Sequence, residues 1–346
     1  MNGSYIALTI IDIVKETSDT STFIVRPDNG YPLIYRPGQF ITLIFDKAGD
    51  EMRRSYSVSS TPGIDKDISF TVKRIHNGEI SRLLSDHYKP GDKLYTIAPA
   101  GMFIYEDDDT AKDVFLLGAG SGITPVYSLL KHILYFQPAA NVHLVYQNTT
   151  ERSTIFRQAL QKLQEDFPNR FNWIDYVSRP EKSTTSRKLT NDRLEALIPQ
   201  LMRYKRENAL FYICGPLSFM RMCQFTILLM KFRKDQIRKE YFVIDPAPPP
   251  PLVAHPSEKN VIIHREGRQQ DFKTLYPSTI LQSALNRQIA LPYSCKGGKC
   301  SACVARCIKG KVVMSMNDVL TEKDIQQGLI LTCVGYAATD IEISYE

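Results

Sequence analysis

The stretch SCKGGKCSACVARC, residues 294–307, sets four cysteines among glycines and lysines, and no other feature limits the possible folds of this chain as strongly. Cys295, Cys300 and Cys303 follow the pattern C-x4-C-x2-C, and Cys333 comes later in LILTCVGY. Thiolates are soft ligands, and three of them this close in sequence meet only if the backbone turns tightly around a common centre. The spacing C-x4-C-x2-C…C is that of a two-iron, two-sulfur site, and the two-cluster pattern C-x2-C-x2-C-x3-C-P is absent. Gly297 and Gly298 are expected to take the φ values that other residues resist, so that backbone N–H groups point at sulfur. Structural zinc, held by Cys295, Cys300, Cys303 and Cys307 or Cys333, is the competing reading. Zinc ligands usually come as two short pairs, and only one such pair is obvious here. The iron–sulfur reading takes Cys295, Cys300, Cys303 and Cys333 as ligands and leaves Cys307 as a buried or partly exposed thiol.

Seven cysteines in 346 residues, four of them clustered, do not form the framework of a disulfide-stapled secreted domain. Metal or redox chemistry in a reducing compartment fits them better, so a cytoplasmic location is expected. No apolar run approaches the roughly 20 residues of a membrane span, and no basic region precedes the apolar residues of MNGSYIALTIIDIV. Neither membrane insertion nor a signal peptide is therefore expected. A net charge of +6 admits anionic ligands without the concentrated basic stripe that nucleic acid requires.

The chain changes character three times. Residues 1–109 read as short strands punctuated by Pro37-Gly38, Pro62-Gly63 and Pro90-Gly91, which predicts an antiparallel barrel or sandwich. Residues 110–245 alternate strand-like runs (114–117, 142–146, 171–177, 210–214) with helical patterns around 124–136, 153–166, 189–203 and 217–233. That alternation predicts a parallel sheet covered on both faces. DPAPPPPLVAHP then marks a proline-rich spacer, taken as 246–259, and 260–346 form a compact third unit.

Within the first part, RSYSVSS (54–60) groups polar and aromatic residues on one strand. Arg54 can take a phosphate bidentately, Tyr56 offers a ring and a hydroxyl to a flat cofactor, and Ser57 can bond a ring nitrogen, all from one strand edge. A strand with a surface arginine and a core tyrosine would read the same way. In the second part, LLGAGSGITPVYSLL (116–130) is a strand, a glycine loop and a helix. Gly118, Gly120 and Gly122 would let the backbone approach a pyrophosphate. Thr124 is expected to cap the helix, and Pro125 suits its first turn.

The order of these motifs resembles the ferredoxin–NADP reductase superfamily, with a plant-type ferredoxin domain of β-grasp fold at the C-terminus. The resemblance implies that Arg54 contacts a flavin phosphate and that Tyr56 and Ser57, with Val58 beside them, hold the isoalloxazine. In VKRIHNGEISRLL it implies a pyrophosphate-binding turn formed by Gly78, Glu79, Ile80 and Ser81, which favours FAD over FMN. YICGP (212–216) resembles the family segment that approaches the nicotinamide, assigning Cys214, Gly215 and Pro216 to hydride transfer, with Tyr56, Ser57 and Cys214 as the catalytic set. Ser178 and Arg179 in YVSRP resemble a 2′-phosphate site, with Arg187 assisting, so NADPH is expected before NADH. In RKEYFVID (238–245), Glu240, Tyr241 or Phe242 is placed either near the flavin ring or in a packing strand.

The implied activity is electron transfer from NAD(P)H through FAD and a 2Fe-2S cluster to a protein acceptor. The domain order resembles the reductase components of bacterial multicomponent oxygenases, those of phenylacetate degradation among them, so an oxygenase component is the expected partner. Lys296, Lys299, Arg306, Lys309 and Lys311 depart from the acidic character of free plant ferredoxins, so docking should follow a different charge pattern. A ferredoxin-like, haem or quinone acceptor is the alternative within the same class. A zinc-stabilised nucleotide-sensing module without turnover is the alternative outside it.

Overall fold

The computed structural model describes residues 5–47, 49–181, 188–242, 257–265 and 267–345. Two compact units divide the chain, Met1–Lys239 and Glu240–Glu346. Arg187 and most of the proline-rich spacer fall outside the described residues.

The first unit begins with six antiparallel strands: β1 (Ile6–Thr17), β2 (Thr20–Pro27), β3 (Phe40–Lys47), β4 (Asp50–Ser57), β5 (Ile68–Lys73) and β6 (Lys93–Thr96). Their order is β4-β3-β6-β1-β2-β5, and the bridge Val58↔Phe70 brings the two ends together into a barrel. Alternation explains the sidedness. Phe23, Val25, Ile41, Leu43, Val58, Phe70 and Val72 pack inside, where Phe23 and Phe70 stack at 5.3 Å. Between β5 and β6 lies helix α1 (Glu79–His87), which buries Ile80 and Leu84 in the same core.

The parallel sheet follows: β7 (Lys112–Ala119), β8 (Ala140–Asn148), β9 (Phe171–Val177), β10 (Ala209–Cys214) and the short end strand β11 (Ile237–Glu240), in the order β11-β10-β7-β8-β9. Nearly every residue of β7 and β8 is buried, as expected for strands covered on both faces. Helices α2 (Ile123–Phe136), α3 (Arg157–Asp166), α4 (Asn191–Leu201) and α5 (Leu217–Leu229) provide the cover. Helix α3 starts later than the pattern at 153–166 suggests. Phe156 sits in the left-handed region at φ 60°, which stops helical propagation toward the N-terminus.

Barrel and parallel sheet share one seam. The Thr61 hydroxyl donates to the Ser128 carbonyl at 3.0 Å, the Tyr212 phenol to the Ile104 carbonyl at 3.0 Å, and the buried Lys131 forms an ion pair with Asp65.

The second unit has its own five-stranded sheet, built from β12 (Lys259–Arg265), β13 (Arg268–Thr274), β14 (Val304–Lys309), β16 (Leu329–Leu331) and β18 (Ile341–Ser344) in the order β13-β12-β18-β14-β16. A small ladder joins β15 (Val312–Met314) to β17 (Gly335–Ala337). Helices α6 (Ile280–Leu285) and α7 (Glu322–Gln326) complete it. Val261, Ile263, Phe272, Ile280, Leu281, Leu331, Ile341 and Ile343 are among its buried apolar residues.

Candidate functional site

The sulfur site comes from the loop between α6 and β14 and from the turn after β16. The loop curls through positive φ at Lys296 (54°), Gly298 (72°) and Ser301 (56°). Gly297, expected to supply one of those values, does not. Its role is to bring an N–H to the Cys295 sulfur at 3.3 Å, and Lys296 takes the left-handed conformation instead. The Cys295 N–H points at the Cys300 sulfur at 3.4 Å. The N–H groups of Lys299, Ala302 and Cys333 reach the sulfurs of Cys295, Cys300 and Cys303.

The four thiols lie together: Cys295 neighbours both Cys300 and Cys333, and Cys333 neighbours Cys303. Sharing protons this way pushes Cys295 and Cys303 down and Cys300 and Cys333 up. Cys307 stands apart, its thiol donating to the Lys309 carbonyl at 3.3 Å. Among the described residues no group of three or more His, Cys, Asp or Glu side chains surrounds a single-ion position. Four soft donors, with amide dipoles aimed at them, fit a two-iron cluster.

Two distant segments make the second site. β7 runs into a 3-10 turn, Gly120–Gly122, and then into α2. In the ladder, Gly118 lies between Cys214 and Tyr146. A Cβ on Gly122 would fall 2.2 Å from the Cys214 carbonyl oxygen, so only glycine lets the loop meet the end of β10. Gly215 is equally confined, with its own Cβ position 2.9 Å from Ala119 Cβ. Pro216 opens α5 as its N-cap. Cys214 itself is fully buried in the sheet's core.

Thr124 does not cap α2. The helix begins one residue earlier, with Gly122 at the N-cap, and the Thr124 hydroxyl donates to the Ser121 carbonyl at 3.0 Å. The residue that fixes the loop is Tyr146, whose phenol donates to the Gly120 carbonyl at 3.0 Å. Sequence reasoning passes over it because an aromatic at the end of a buried strand looks like core. Ser178 and Arg179 follow β9 and hydrogen-bond through their N–H groups to Asn148 and Thr149; Ser178 is half-buried and Arg179 exposed.

The third site is β4, the terminal strand of the barrel sheet. Strand alternation puts Arg54, Tyr56 and Val58 toward one face and Ser57 toward the other. A ligand that meets all of them from one strand edge therefore reaches both faces of β4. Tyr56 packs 5.7 Å from Phe70, and burial pushes its phenol up. Ser57 and Val58 are buried, and Arg54 is exposed.

Before α1, Gly78 leaves no room for a Cβ, which would sit 2.4 Å from the Ser81 oxygen. The Ser81 hydroxyl is engaged within the turn, accepting from the Ile75 N–H and donating to the Gly78 carbonyl, both at 3.1 Å. Glu79 pairs with Lys47 at 2.6 Å, and Ile80 is buried. What the turn retains for an anion is the N–H groups of the first helical turn. Beside it a cavity of about 970 Å³ opens, lined among others by Phe45, Met52, Asn77, Ile80, Leu83 and Tyr95. The cavity touches Glu79 and Ile80 but none of Arg54, Tyr56 and Ser57.

Three family models match in succession: an oxidoreductase FAD-binding domain over residues 7–105, an oxidoreductase NAD-binding domain over 116–224, and a 2Fe-2S iron-sulfur cluster binding domain over 263–338. Over 99% of its length the chain is 31% identical to the ferredoxin reductase component of the 3-ketosteroid-9-alpha-monooxygenase of Mycolicibacterium smegmatis, covering 98% of that protein. The chain belongs to this family of flavin and iron–sulfur reductases. The reductase is also 30% identical to one of the subunits of the 1,2-phenylacetyl-CoA epoxidase of Escherichia coli, over 98% of its own length and 97% of that protein.

Among solved structures, phthalate dioxygenase reductase shares the fold at a TM-score of 0.58 and 20% identity, with 98% of the reductase and 97% of that chain covered. An intact type IV self-sufficient cytochrome P450 monooxygenase gives a TM-score of 0.72 at 19% identity, matching 98% of the reductase and 40% of that chain. The reductase is accordingly an NAD(P)H-dependent oxidoreductase that uses FAD and a 2Fe-2S cluster in electron transfer. No described helix is long and apolar enough to cross a membrane.

Proposed function

We propose that the reductase takes its electrons from NADPH at the glycine loop and the end of β10, and delivers them through the second unit to the iron-containing component of an oxygenase. The observation that carries this reading is the convergence of Cys295, Cys300, Cys303 and Cys333, in a chain whose nucleotide domain brings the β7 loop and the end of β10 together at Gly122 and Cys214. When bound, FAD would supply hydride acceptance and single-electron release, and a two-iron cluster held by the four cysteines would supply single-electron carriage.

The chain's own residues do the positioning. The Gly120–Gly122 turn and the first turn of α2 present N–H groups to the dinucleotide pyrophosphate, and the Tyr146 phenol keeps that turn in place. Ser178 and Arg179, at the carboxyl end of β9, supply a hydroxyl and a planar cation for a 2′-phosphate. Gly215 and Pro216 bring the β10 end against the nicotinamide, and the buried Cys214 sets their depth. On the barrel, Tyr56, Ser57 and Val58 hold the flavin ring, Arg54 neutralises its phosphate, and the N–H groups of residues 79–81, which follow the tight turn at Gly78, bind the pyrophosphate.

The functional divisions proposed are 1–109, 110–245, 246–259 and 260–346, and the three family matches fall inside the first, second and fourth. Four thiols kept for metal favour a cytoplasmic location. An oxygenase partner is supported by the named roles of the relatives as components of multicomponent monooxygenases and an epoxidase.

The test is steady-state reduction of an artificial one-electron acceptor with NADPH and with NADH, in the wild type, Arg179→Gln and Cys300→Ser. NADPH should be preferred, and Arg179→Gln should raise the KM for NADPH about tenfold while leaving NADH nearly unchanged. Cys300→Ser should keep flavin bleaching and lose acceptor reduction. Equal KM values for the two nucleotides in both the wild type and Arg179→Gln would remove the NADPH assignment, and full acceptor reduction by Cys300→Ser would remove the relay.

A further inference from the structure

The cavity between the β3–β4 hairpin and α1 measures about 970 Å³, and none of the roles assigned above uses it. Small-ligand sites span roughly 300–1,000 Å³, so there is room for a nucleoside. Phe45, Met52 and Leu83 give apolar walls, and Asn77, Glu79 and Ile80 bring the start of α1 to the edge.

Strand register connects this cavity to the flavin motif. Across the β3–β4 ladder Tyr56 pairs with Ile41, Arg54 with Leu43, and Met52 with Phe45. Cross-strand partners share a face, and so do residues two apart on one strand. Met52, Arg54 and Tyr56 therefore form one row along β4, about 7 Å per step. Ile41, Leu43 and Phe45 belong to the barrel core, as do Ile80 and Leu84 of α1, so the row lies on the side of the strand that faces this core. Of the three, Met52 lines the cavity. The row thus runs from the residue proposed for the ring, past the one proposed for the phosphate, to an open space. A flavin dinucleotide has its parts in that order: ring, phosphates, adenosine.

The mouth of the cavity carries an ion pair. Lys47, at the end of β3, meets Glu79, the first residue of α1, at 2.6 Å, and both side chains are more than half exposed. An exposed pair of this kind contributes little to stability, so little is lost when Lys47 turns to another anion. Glu79 alone would repel a phosphate brought to the N–H groups of its own turn, and Lys47 offsets that charge.

We propose that this cavity takes the adenosine half of FAD, with Met52 in its wall and Lys47 meeting the second phosphate. The site makes the chain select FAD over FMN, which has no adenosine to place there. The inference rests on the reading of Arg54 and Tyr56 given above.

The experiment is equilibrium binding of FAD and of FMN to the full-length chain, freed of flavin by dialysis against bromide and read by quenching of flavin fluorescence. The wild type should bind FAD about tenfold tighter than FMN, or more. Met52→Trp, which fills the cavity, should lower FAD affinity about tenfold and leave FMN within about twofold. Lys47→Ala should weaken FAD about fivefold and FMN less than about twofold. Equal affinities for the two flavins in the wild type overturn the proposal, and so does a Met52→Trp variant that weakens both alike or neither. Unchanged FAD affinity in Lys47→Ala overturns the role of Lys47. If Met52→Trp does not fold, Leu83→Trp fills the same cavity from α1 and is judged by the same outcomes. Arg54→Gln keeps the two readings apart, because it should weaken FAD and FMN together. Wild-type binding of both flavins by Arg54→Gln removes the reading of β4 itself, whereas a failed cavity leaves that variant weakened for both.

Discussion

At the scale of single residues, the contact between Gly122 and the Cys214 carbonyl is the tightest constraint on the nucleotide site. A methyl group there would have to displace backbone on one side or the other, at a cost of about 2–3 kcal/mol. Gly122→Ala should therefore lower the stability of the first unit by that amount in urea and weaken NAD(P)H binding at least tenfold, while iron content and the cluster spectrum stay at wild-type levels. In the sequence the glycines and the C-G-P segment stand as separate motifs. Their meeting could not be read from it, because contact between a β7 loop and a β10 end is a product of strand order. Tyr146 was hidden for a related reason: burial and a loop-fixing hydrogen bond select the same amino acid.

At the scale of elements, the opposite end of the parallel sheet shows how a strand is tied to the loop that returns to it. Asp113, the second residue of β7, accepts the N–H groups of Arg203 and Tyr204 at 2.9 and 2.8 Å, just beyond α4. Its other oxygen faces His143 Nε2 at 3.4 Å, and His143 Nδ1 faces the Asn172 amide at 3.1 Å. The Asn172 amide donating to Nδ1 places the imidazole proton on Nε2, toward Asp113. Burial alone would raise the Asp113 carboxyl, but His143 and the two N–H groups outweigh it and hold the group below its usual range.

Asp113→Ala leaves two backbone donors and a ring N–H without an acceptor, and should cost about 3 kcal/mol at pH 7. A carboxyl depressed in the folded state contributes stability above its unfolded value of about 3.9 and loses it as pH falls through the lower folded value. The difference between wild type and Asp113→Ala in urea should thus stay constant from neutral pH to about 4.5 and narrow only below about 4. Strands and helices of this sheet were legible from their hydrophobic periods, and β9 lies where the pattern FNWIDYV places it. Helix ends were not: Phe156 and Thr124 show that a left-handed residue or a 3-10 turn resets a boundary that periodicity cannot see.

At the scale of the whole molecule, two units with separate cores make separate thermal transitions the expectation. Metal held by a site that exists only in the folded chain contributes its binding energy to folding. Removing iron from the holoprotein should therefore lower the transition of the second unit in calorimetry and leave that of the first unit in place. The buried residues of the five-stranded sheet should keep the metal-free second unit folded at moderate temperature. A first-unit transition that moved with iron content would contradict this independence. The three-part organisation was readable because each part has its own period, two for the barrel, helix–strand alternation for the parallel sheet, and cysteine spacing for the last. That the first two parts pack as one body was not readable, since Thr61, Asp65, Ser128 and Lys131 carry no pattern that marks a seam.

The gathering of Cys295, Cys300, Cys303 and Cys333 at one place carries a consequence for how this protein is made. Four thiols gathered at one place are open to crosslinking whenever an oxidant reaches them before iron and sulfide do. Newly made chains must then be loaded under reducing conditions, and the order in which the cell delivers iron, sulfide and oxygen decides whether a given molecule ever conducts.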